Sequence, residues 1–418
     1  MLHNSDYSTQ YTDGITGALI VHPSDPAPSD FPEWDEEFVV QMADWYHDQS
    51  QDLLVQYLSP FGIQGTQGNE PVPDAGTLNG AGQYFATGTG GSYYSFTVTR
   101  GQTYRIRLIN TGSFASIRFS VDSHPLTLIE ADGTLLEPTS VNSVTLAVAQ
   151  RYSVLLHANA TAAENATYWI RTTVQSDMFT YDQPGQNVDI RGIIRYTDAL
   201  SPTGLPGDPA SPDPGAGVSG LPDIDGTTTL VPAVNDVAPN ATRGYHVSFA
   251  FENTDDGRFL GFMNTTSWDP LKGTTTLLSA RKNPKGYAAL GGGIAAGDQF
   301  MITEDSIEVV DLMIDNLDDG DHPFHLHGHR PWIMGSGSGR YIGQPLNNTN
   351  PLRRDTILIP AYSYMVLRFQ TDNPGLWAFH CHLAWHMAAG LLMQINSLPS
   401  KAANLTIPQD IISQCSAS

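Results

Sequence analysis

The sequence predicts an all-β protein built from sandwiches of short strands. Strand-like runs with alternating polar and apolar residues, or with many β-branched residues, occur along the 418-residue chain. Clusters of Gly, Pro, Asn and Asp separate them, and the totals of 39 Gly and 28 Pro fit frequent turns. Helical periodicity is scarce, and the best candidate for a short helix is the segment 382–389.

Four runs show the strand pattern in chain order: Tyr104–Ile109, Ser116–Val121, Ile307–Ile314 and Ser363–Phe369. Between the second and third runs, residues 199–226 carry six prolines interleaved with glycines. This composition is typical of a semi-rigid spacer that packs no core. The sequence therefore predicts a linker over 199–226, a domain over 36–198 and a second domain over 227–412.

Composition excludes several functional classes. Hydrophobic residues make up 40% of the chain and charged residues 15%, which is typical of a folded protein. The formal charge of −23 argues against nucleic acid or an anionic membrane as a partner. Six N-x-Ser/Thr sequons favour a secreted glycoprotein, although residues 1–6 do not resemble a signal peptide. We expect a monomer whose signal peptide is absent from these 418 residues.

The two halves that flank the spacer repeat each other weakly. Phe119-Ser-Val-Asp-Ser-His124 aligns with Phe324-His-Leu-His-Gly-His329, and Trp169-Ile-Arg-Thr-Thr173 aligns with Trp377-Ala-Phe-His-Cys381. Such a repeat indicates one sandwich unit that has been duplicated. Because the first half carries Ser, Asp and Thr where the second carries His and Cys, the fold does not require the histidines. We interpret them as placed for chemistry.

Seven of the 13 histidines fall in two short runs, and strand geometry explains their spacing. Side chains two residues apart on a strand point to the same face, so His325 and His327 share a face, as do His380 and His382. Cys381 then projects to the opposite face from its two neighbours. One strand can therefore serve two separate metal sites.

A second set of ligands is expected on the face of Cys381. A turn can return His386 beside the thiolate, and His322 can complete a set of one Cys and two His, which is the ligand set of blue copper. The usual weak axial Met is replaced here by Leu391, which is expected to raise the reduction potential. Zinc also accepts Cys and two His, so it stays an alternative metal.

The second half resembles the C-terminal cupredoxin domain of a multicopper oxidase, most closely a fungal laccase of the ascomycete type. The segments that carry the resemblance are Asn316–His329, Asn350–Asp355 and Asn373–His386. The first half, with Ala43-Asp-Trp-Tyr-His47 and Leu78-Asn-Gly80, resembles the middle domain of that family. The resemblance implies tandem cupredoxin-like Greek-key β-sandwiches, two of them complete.

The resemblance also implies roles for single residues. A type 1 copper would be held by His322, Cys381 and His386, with His386 facing solvent where a donor gives up one electron. Electrons would leave through Cys381 towards a trinuclear copper cluster, where four of them reduce dioxygen to water. In this domain the type 2 ligand would be His325, and the type 3 ligands would be His327, His380 and His382.

The pattern departs from the family at the N-terminus. Family members supply four more histidines from two His-x-His motifs in a first domain, and this sequence has none outside the two runs already described. Asn4 and Asp6 stand where two of those histidines belong, and His3 is one position out of register. We therefore expect 1–22 to be a remnant of the first domain. The family counterpart of Cys415 pairs with a first-domain cysteine, so we expect its thiol to lack that partner; a free thiol in a frayed tail is the other interpretation.

Several functions follow from this resemblance. The leading hypothesis is a laccase-like oxidase of phenolic or aromatic amine donors that reduces dioxygen, with type 2 and type 3 copper impaired by the missing ligands. Asp44 matches a carboxylate that relatives keep in the substrate pocket, and an ordinary strand-end or turn Asp is the alternative. A ferroxidase would need more carboxylates beside the type 1 site. A copper-binding remnant without turnover and a zinc-binding secreted module are the non-enzymatic alternatives.

Overall fold

The protein is described by a computed structural model that covers residues 2–4, 8–22, 27–84, 90–159, 167–197, 220–283, 292–295 and 299–414. Strands dominate these residues, which confirms the all-β prediction. The chain forms two compact units, residues 1–57 with 69–235 and residues 58–68 with 236–418. Most of the predicted linker, together with Asp6 and Cys415, lies outside the described residues.

Among the described residues, fourteen strands and one helix belong to the first unit. They are β1 (Leu2–Asn4), β2 (Thr16–Ala18), β3 (Glu36–Trp45), α1 (Ser50–Tyr57), β4 (Ala75–Leu78), β5 (Tyr94–Val98), β6 (Thr103–Asn110), β7 (Ile117–Val121), β8 (Leu126–Ala131), β9 (Thr134–Val141), β10 (Ser143–Leu146), β11 (Arg151–His157), β12 (Thr167–Val174), β13 (Asp189–Tyr196) and β14 (Asp223–Ile224).

In the second unit, the part of the chain that the structure describes contains eleven strands and four short helices. They are β15 (Arg243–Asn253), β16 (Phe259–Met263), α2 (Thr276–Lys282), β17 (Gly292–Ala295), β18 (Gln299–Glu304), β19 (Val309–Asn316), β20 (His322–Leu326), β21 (Trp332–Ser338), β22 (Thr356–Ile359), β23 (Ser363–Gln370), β24 (Gly375–Cys381), α3 (Ala384–Ala388), β25 (Leu392–Ser397), α4 (Pro399–Ala402) and α5 (Gln409–Gln414). Helix α3 lies within the helix predicted over 382–389.

The first unit contains two six-stranded sheets, ordered β4-β3-β6-β11-β8-β9 and β14-β10-β7-β12-β13-β5. Their facing sides form the core. Gly76 on β4 of one sheet, for example, lies against Val174 and Ile190 of the other. The pair β1–β2 is separate from both sheets.

The second unit repeats this plan with a five-stranded sheet, β16-β15-β19-β23-β21, and a six-stranded sheet, β17-β18-β25-β24-β20-β22. The sheets meet where Phe249 on β15 contacts Phe324 on β20, with ring centroids 4.8 Å apart. The order and direction of β4-β3-β6-β11-β8 match those of β16-β15-β19-β23-β21. The duplication inferred from sequence is therefore present in the topology.

Strand pairing shifts one part of the sequence alignment by a single residue. Phe119 pairs with Thr172 between β7 and β12, whereas Phe324 pairs with Cys381 between β20 and β24. Thr172, and not Thr173 as the alignment predicts, therefore occupies the place of Cys381. Hydrogen-bond register, which letter similarity does not report, decides which residues are equivalent.

Among the described residues, no helix combines the length and the apolar character needed to cross a bilayer.

Candidate metal centre

Three donor atoms converge in the second unit. His322 opens β20, Cys381 ends β24, and His386 lies in α3. The Nδ1 atoms of the two histidines are 3.1 Å apart, and the Sγ of Cys381 is 3.6 Å from each of them. All three side chains are buried, with exposures of 0%, 0% and 2%. These residues form the metal-ligand cluster found among the described residues.

Local backbone structure explains why the three side chains meet. Phe324 and Cys381 are opposite each other across β20 and β24, so they share a face, and His322 lies two residues before Phe324 on that face. A turn then reverses the chain after β24, and α3 carries His386 back towards the thiol. The backbone nitrogen of Cys381 donates to the carbonyl of Leu391 at 3.1 Å, which closes the loop.

The two imidazoles change the acidity of the thiol. Burial raises the pKa of Cys381, but the hydrogen bonds from His322 and His386 outweigh it and lower that pKa to about 7. Burial lowers the pKa of His322, but the bonds to Asp318 and Cys381 outweigh burial and raise that pKa. The thiol is therefore poised to become a thiolate, the form that binds metal.

The donor set fits copper better than zinc. Two imidazole nitrogens and one thiolate are the trigonal set of blue copper, whereas structural zinc takes four donors in a tetrahedron. The next residue tied to the cluster is Leu391, whose nitrogen donates to the carbonyl of His386 at 3.0 Å and which is fully buried. Its hydrocarbon side chain offers no fourth ligand.

Aromatic rings wall the cluster on one side. The ring of Phe251 lies 4.7 Å from the ring of His386 and 6.1 Å from that of His322. Phe249 lies edge-on to His322 at 4.9 Å. The side chains around the three donors therefore keep them in an apolar environment, which tunes a metal and limits solvent access.

Asp318 is a further residue of the candidate site, and the sequence pattern did not single it out. Its Oδ2 is 2.9 Å from the Nε2 of His322, so the Nδ1 atom is the one presented to Cys381. Burial raises the pKa of Asp318, but the bond to His322, the charges of His322 and His386 and the bond from the Gly320 N–H together outweigh burial and lower that pKa. The signal in the sequence was the carboxylate four residues before His322 in Asp318-Asp-Gly-Asp-His322. A loop, and not a strand, makes this contact, so no periodicity marked it.

The expectation that His386 faces solvent is wrong in this structure, because its exposure is 2%. The helix α3 and the ring of Phe251 cover it. The carboxylate of Asp318, whose side chain is 20% exposed, is the more accessible group bonded to the donor set.

Four more imidazoles gather on the opposite face of the same strands. His325 lies opposite His380 in the register of β20 and β24, and the ring centroids of His325 and His327 are 4.6 Å apart. The Nε2 atoms of His327 and His380 are 3.1 Å apart, and the ring of His382 lies 5.4 Å from that of His380. The predicted alternation of faces is present in the geometry.

Two features of this imidazole group suit metal binding. The Nδ1 of His325 lies 3.0 Å from the carbonyl of Asp355 and 3.1 Å from the hydroxyl of Thr356, which leaves Nε2 for a ligand role. Burial, followed by the nearby His327 and His325, holds the pKa of His380 well below its usual range. A neutral imidazole is the form that donates a lone pair to a metal.

Asp44 lies in the first unit, at the end of β3. Its carboxylate accepts the backbone N–H groups of Ser113, Phe114 and Ala115 at 2.7–2.8 Å, and its exposure is 2%. Burial raises its pKa although these three bonds oppose the rise. Asp44 also lines a cavity of about 160 Å³ with Tyr11. These bonds give the residue a structural role in the loop that follows β6.

His3 and Asn4 lie in β1, which pairs with β2. Within the described residues the cysteine is Cys381, which is buried and is not part of a disulfide bond.

The chain is similar in sequence to multicopper oxidases. Profiles of the multicopper oxidase family match residues 36–199 and 270–401. The iron transport multicopper oxidase fio1 of Schizosaccharomyces pombe is 31% identical over 419 residues, which cover 99% of this chain and 62% of that protein. Laccase-1 of Cryptococcus neoformans var. grubii is 31% identical over 437 residues, covering 99% and 67%.

Among solved structures, the crystal structure of a laccase from Botrytis aclada superposes with a TM-score of 0.79 at 26% identity. The match covers 100% of this chain and 73% of that one. By comparison, the chain spans less than two thirds of the length of the iron transport relative fio1.

Proposed function

The chain belongs to the multicopper oxidase family, and from that premise we propose that it is a copper-dependent oxidoreductase whose type 1 copper is held by His322, Cys381 and His386. The observation that carries the proposal is the convergence of two Nδ1 atoms and one Sγ within 3.6 Å in a buried pocket. Copper bound there would accept one electron at a time from a donor and supply it for the reduction of dioxygen.

Residues around the three donors would orient them and favour the thiolate form that binds copper. Asp318 fixes the orientation of the His322 ring, so that Nδ1 and not Nε2 faces the thiolate. Leu391 is fully buried and bonded through its backbone to Cys381 and His386, and its hydrocarbon side chain would add no further ligand to the copper. The lowered pKa of Cys381 lets the thiolate form without strong base.

The chain itself offers a short route from the thiolate to the second imidazole group. Cys381 lies between His380 and His382 in sequence, and these two side chains point to the opposite face. We propose that His325 would hold a type 2 copper and that His327, His380 and His382 would hold type 3 coppers. These four imidazoles are the ligands that the second unit would contribute to such a cluster.

For the donor, a phenol or aromatic amine is the leading proposal. Relatives named laccase support it, and the aromatic side chains of Phe249 and Phe251 beside the imidazoles are compatible with an aromatic donor. Asp44 stays a proposed substrate carboxylate, although its present bonds favour the structural interpretation.

Oxidation of ferrous iron is the second candidate. A carboxylate bonded to a ligand imidazole offers a cation both a binding group and a path to the copper, and Asp318 provides it. A relative named for iron transport supports this proposal.

We further propose a secreted, monomeric glycoprotein. Five of the six sequon asparagines are exposed in the described residues: Asn159, Asn240, Asn264, Asn347 and Asn404. An exposed acceptor is what glycosylation in the secretory route needs.

The test begins with copper content, visible absorption and electron paramagnetic resonance of the purified chain. One tightly bound copper per chain with an intense blue band is expected. A colourless zinc-loaded protein, or copper without the band, would contradict the proposal. Anaerobic mixing with a phenol or with ferrous ion should then bleach the band, and the rates rank the two donors.

Asp318→Asn separates the two donor classes. If iron is the donor, this change is expected to slow bleaching by ferrous ion at least about tenfold more than bleaching by a phenol, because the amide carries no charge. Asp319→Asn is the matched control, since Asp319 is an exposed neighbour. Equal slowing for both donors would favour the phenol-oxidising function.

A further inference from the structure

The turn that carries Leu391 is held by three residues from an earlier segment of the same unit. We define the clamp as Gly261, Ser267 and Trp268, and the turn as residues 389–391. The nitrogen of Gly261 donates to the carbonyl of Ala389 at 2.9 Å, and the nitrogen of Trp268 donates to the carbonyl of Gly390 at 3.0 Å. The hydroxyl of Ser267 donates to the same Ala389 carbonyl at 3.2 Å.

Gly261 lies where no side chain fits. A methyl group there would lie 2.9 Å from the Cβ and 3.3 Å from the Cα of Leu391, and 3.2 Å from the Cζ of Phe251. The first two atoms belong to the rigid start of the residue and cannot rotate away. The backbone at Gly261 is outside the left-handed region, so space and not conformation requires the glycine.

The two residues that a side chain at Gly261 would meet, Leu391 and Phe251, are both tied to the donor set. Leu391 is bonded through its backbone to both Cys381 and His386, and the ring of Phe251 contacts both imidazoles. A residue that lets both approach therefore controls how closely the donors are covered.

We propose that Gly261 is a positioning residue for the type 1 site, because its missing side chain lets Leu391 and Phe251 pack closely beside the donor set and exclude water from it. This inference rests on the proposed function, since it concerns the copper that His322, Cys381 and His386 would hold.

The duplicated fold supplies a matched control. Gly76 on β4 is the counterpart of Gly261 on β16, because each lies three residues before an asparagine with positive φ, Asn79 or Asn264. A methyl group at Gly76 would lie 2.8–3.0 Å from Ile190, Val174 and the carbonyl of Ala43. The same steric conflict thus exists in the unit that lacks the Cys and His set.

The experiment compares Gly261→Ala with Gly76→Ala by two readouts, each in a Cys415→Ser background that leaves Cys381 as the single thiol. The first readout is the reduction potential of the copper-loaded chain. Gly261→Ala is expected to lower it, because water that reaches the site would stabilise the oxidised ion. The second is the rate at which a small aromatic disulfide modifies Cys381 in the copper-free chain, which is expected to rise about tenfold as the cover loosens.

Gly76→Ala is expected to lower thermal stability without moving either readout. If both variants are less stable but keep the parental reduction potential and the parental rate of thiol modification, Gly261 is merely structural and the inference is wrong. Ser267→Ala removes one clamp bond without adding volume, and serves if Gly261→Ala does not fold. It is expected to move both readouts in the same direction by less, and no movement would overturn the inference. A parental chain that binds no blue copper would instead refute the proposed function, while the thiol rates would still test the cover.

Discussion

Gly328, between His327 and His329, offers the sharpest stability test of the site's framework. It adopts φ +68°, and a methyl group there would lie 2.4–2.7 Å from three atoms of the Trp377 indole. The indole is held in place, because its Nε1 donates to the carbonyl of Asn373 at 3.0 Å. The nitrogen of His327 in turn donates to the carbonyl of Ala378, the residue after Trp377. Gly328→Ala therefore strains the strand that carries the imidazole group.

Two costs add in this substitution. An L-residue in the left-handed region costs about 1–2 kcal/mol. Forcing a methyl group into a filled space costs about 1–3 kcal/mol. Together they predict a loss of about 2–5 kcal/mol in the free energy of unfolding.

Urea unfolding of the copper-free chain measures this loss, and Gly339→Ala isolates its first part. Gly339 has φ +78° and no atom within 4 Å of the added methyl group, so it should lose only about 1–2 kcal/mol. The additional loss of unfolding free energy in Gly328→Ala then measures the steric conflict with Trp377. Equal losses in the two variants would show that the ring moves freely, and the reasoning about a rigid framework would be refuted.

Three further predictions concern the core, the metal and pH. Asp44→Asn should cost about 1–3 kcal/mol in urea unfolding, because the amide has one acceptor oxygen for three N–H donors, whereas the exposed Asp48→Asn should change little. Copper at about 100 times its Kd should raise stability by about 2.7 kcal/mol, and a similar gain in Cys381→Ser would contradict the assigned ligands. Burial lowers the pKa of His124 in the folded protein, so the unfolded chain binds protons more readily and stability should fall as pH drops below about 6.5. His124→Gln should show a shallower fall in thermal scans from pH 7 to 5, and an unchanged slope would exclude His124 as the cause.

Sequence reasoning identified the fold class and the two groups of ligands. The alternation of side chains along a strand is a local rule, so the spacing of His325, His327, His380 and His382 was enough to assign them to one face and Cys381 to the other. The short helix after Cys381 was also predictable, because Leu383–Ala389 contains no β-branched or breaking residue.

Other features needed the tertiary structure. Asp318 reaches His322 through a loop, and Gly261 meets Leu391 across 130 residues of chain, and no periodic pattern marks either contact. The burial of His386 and the backbone bonds of Asp44 belong to the same class. The sequence by itself determined which residues are candidates for metal chemistry, because local strand geometry governs how neighbouring side chains point. Only the tertiary structure decided how those residues are covered, oriented and shielded from water, because these depend on contacts between segments that are distant in the chain.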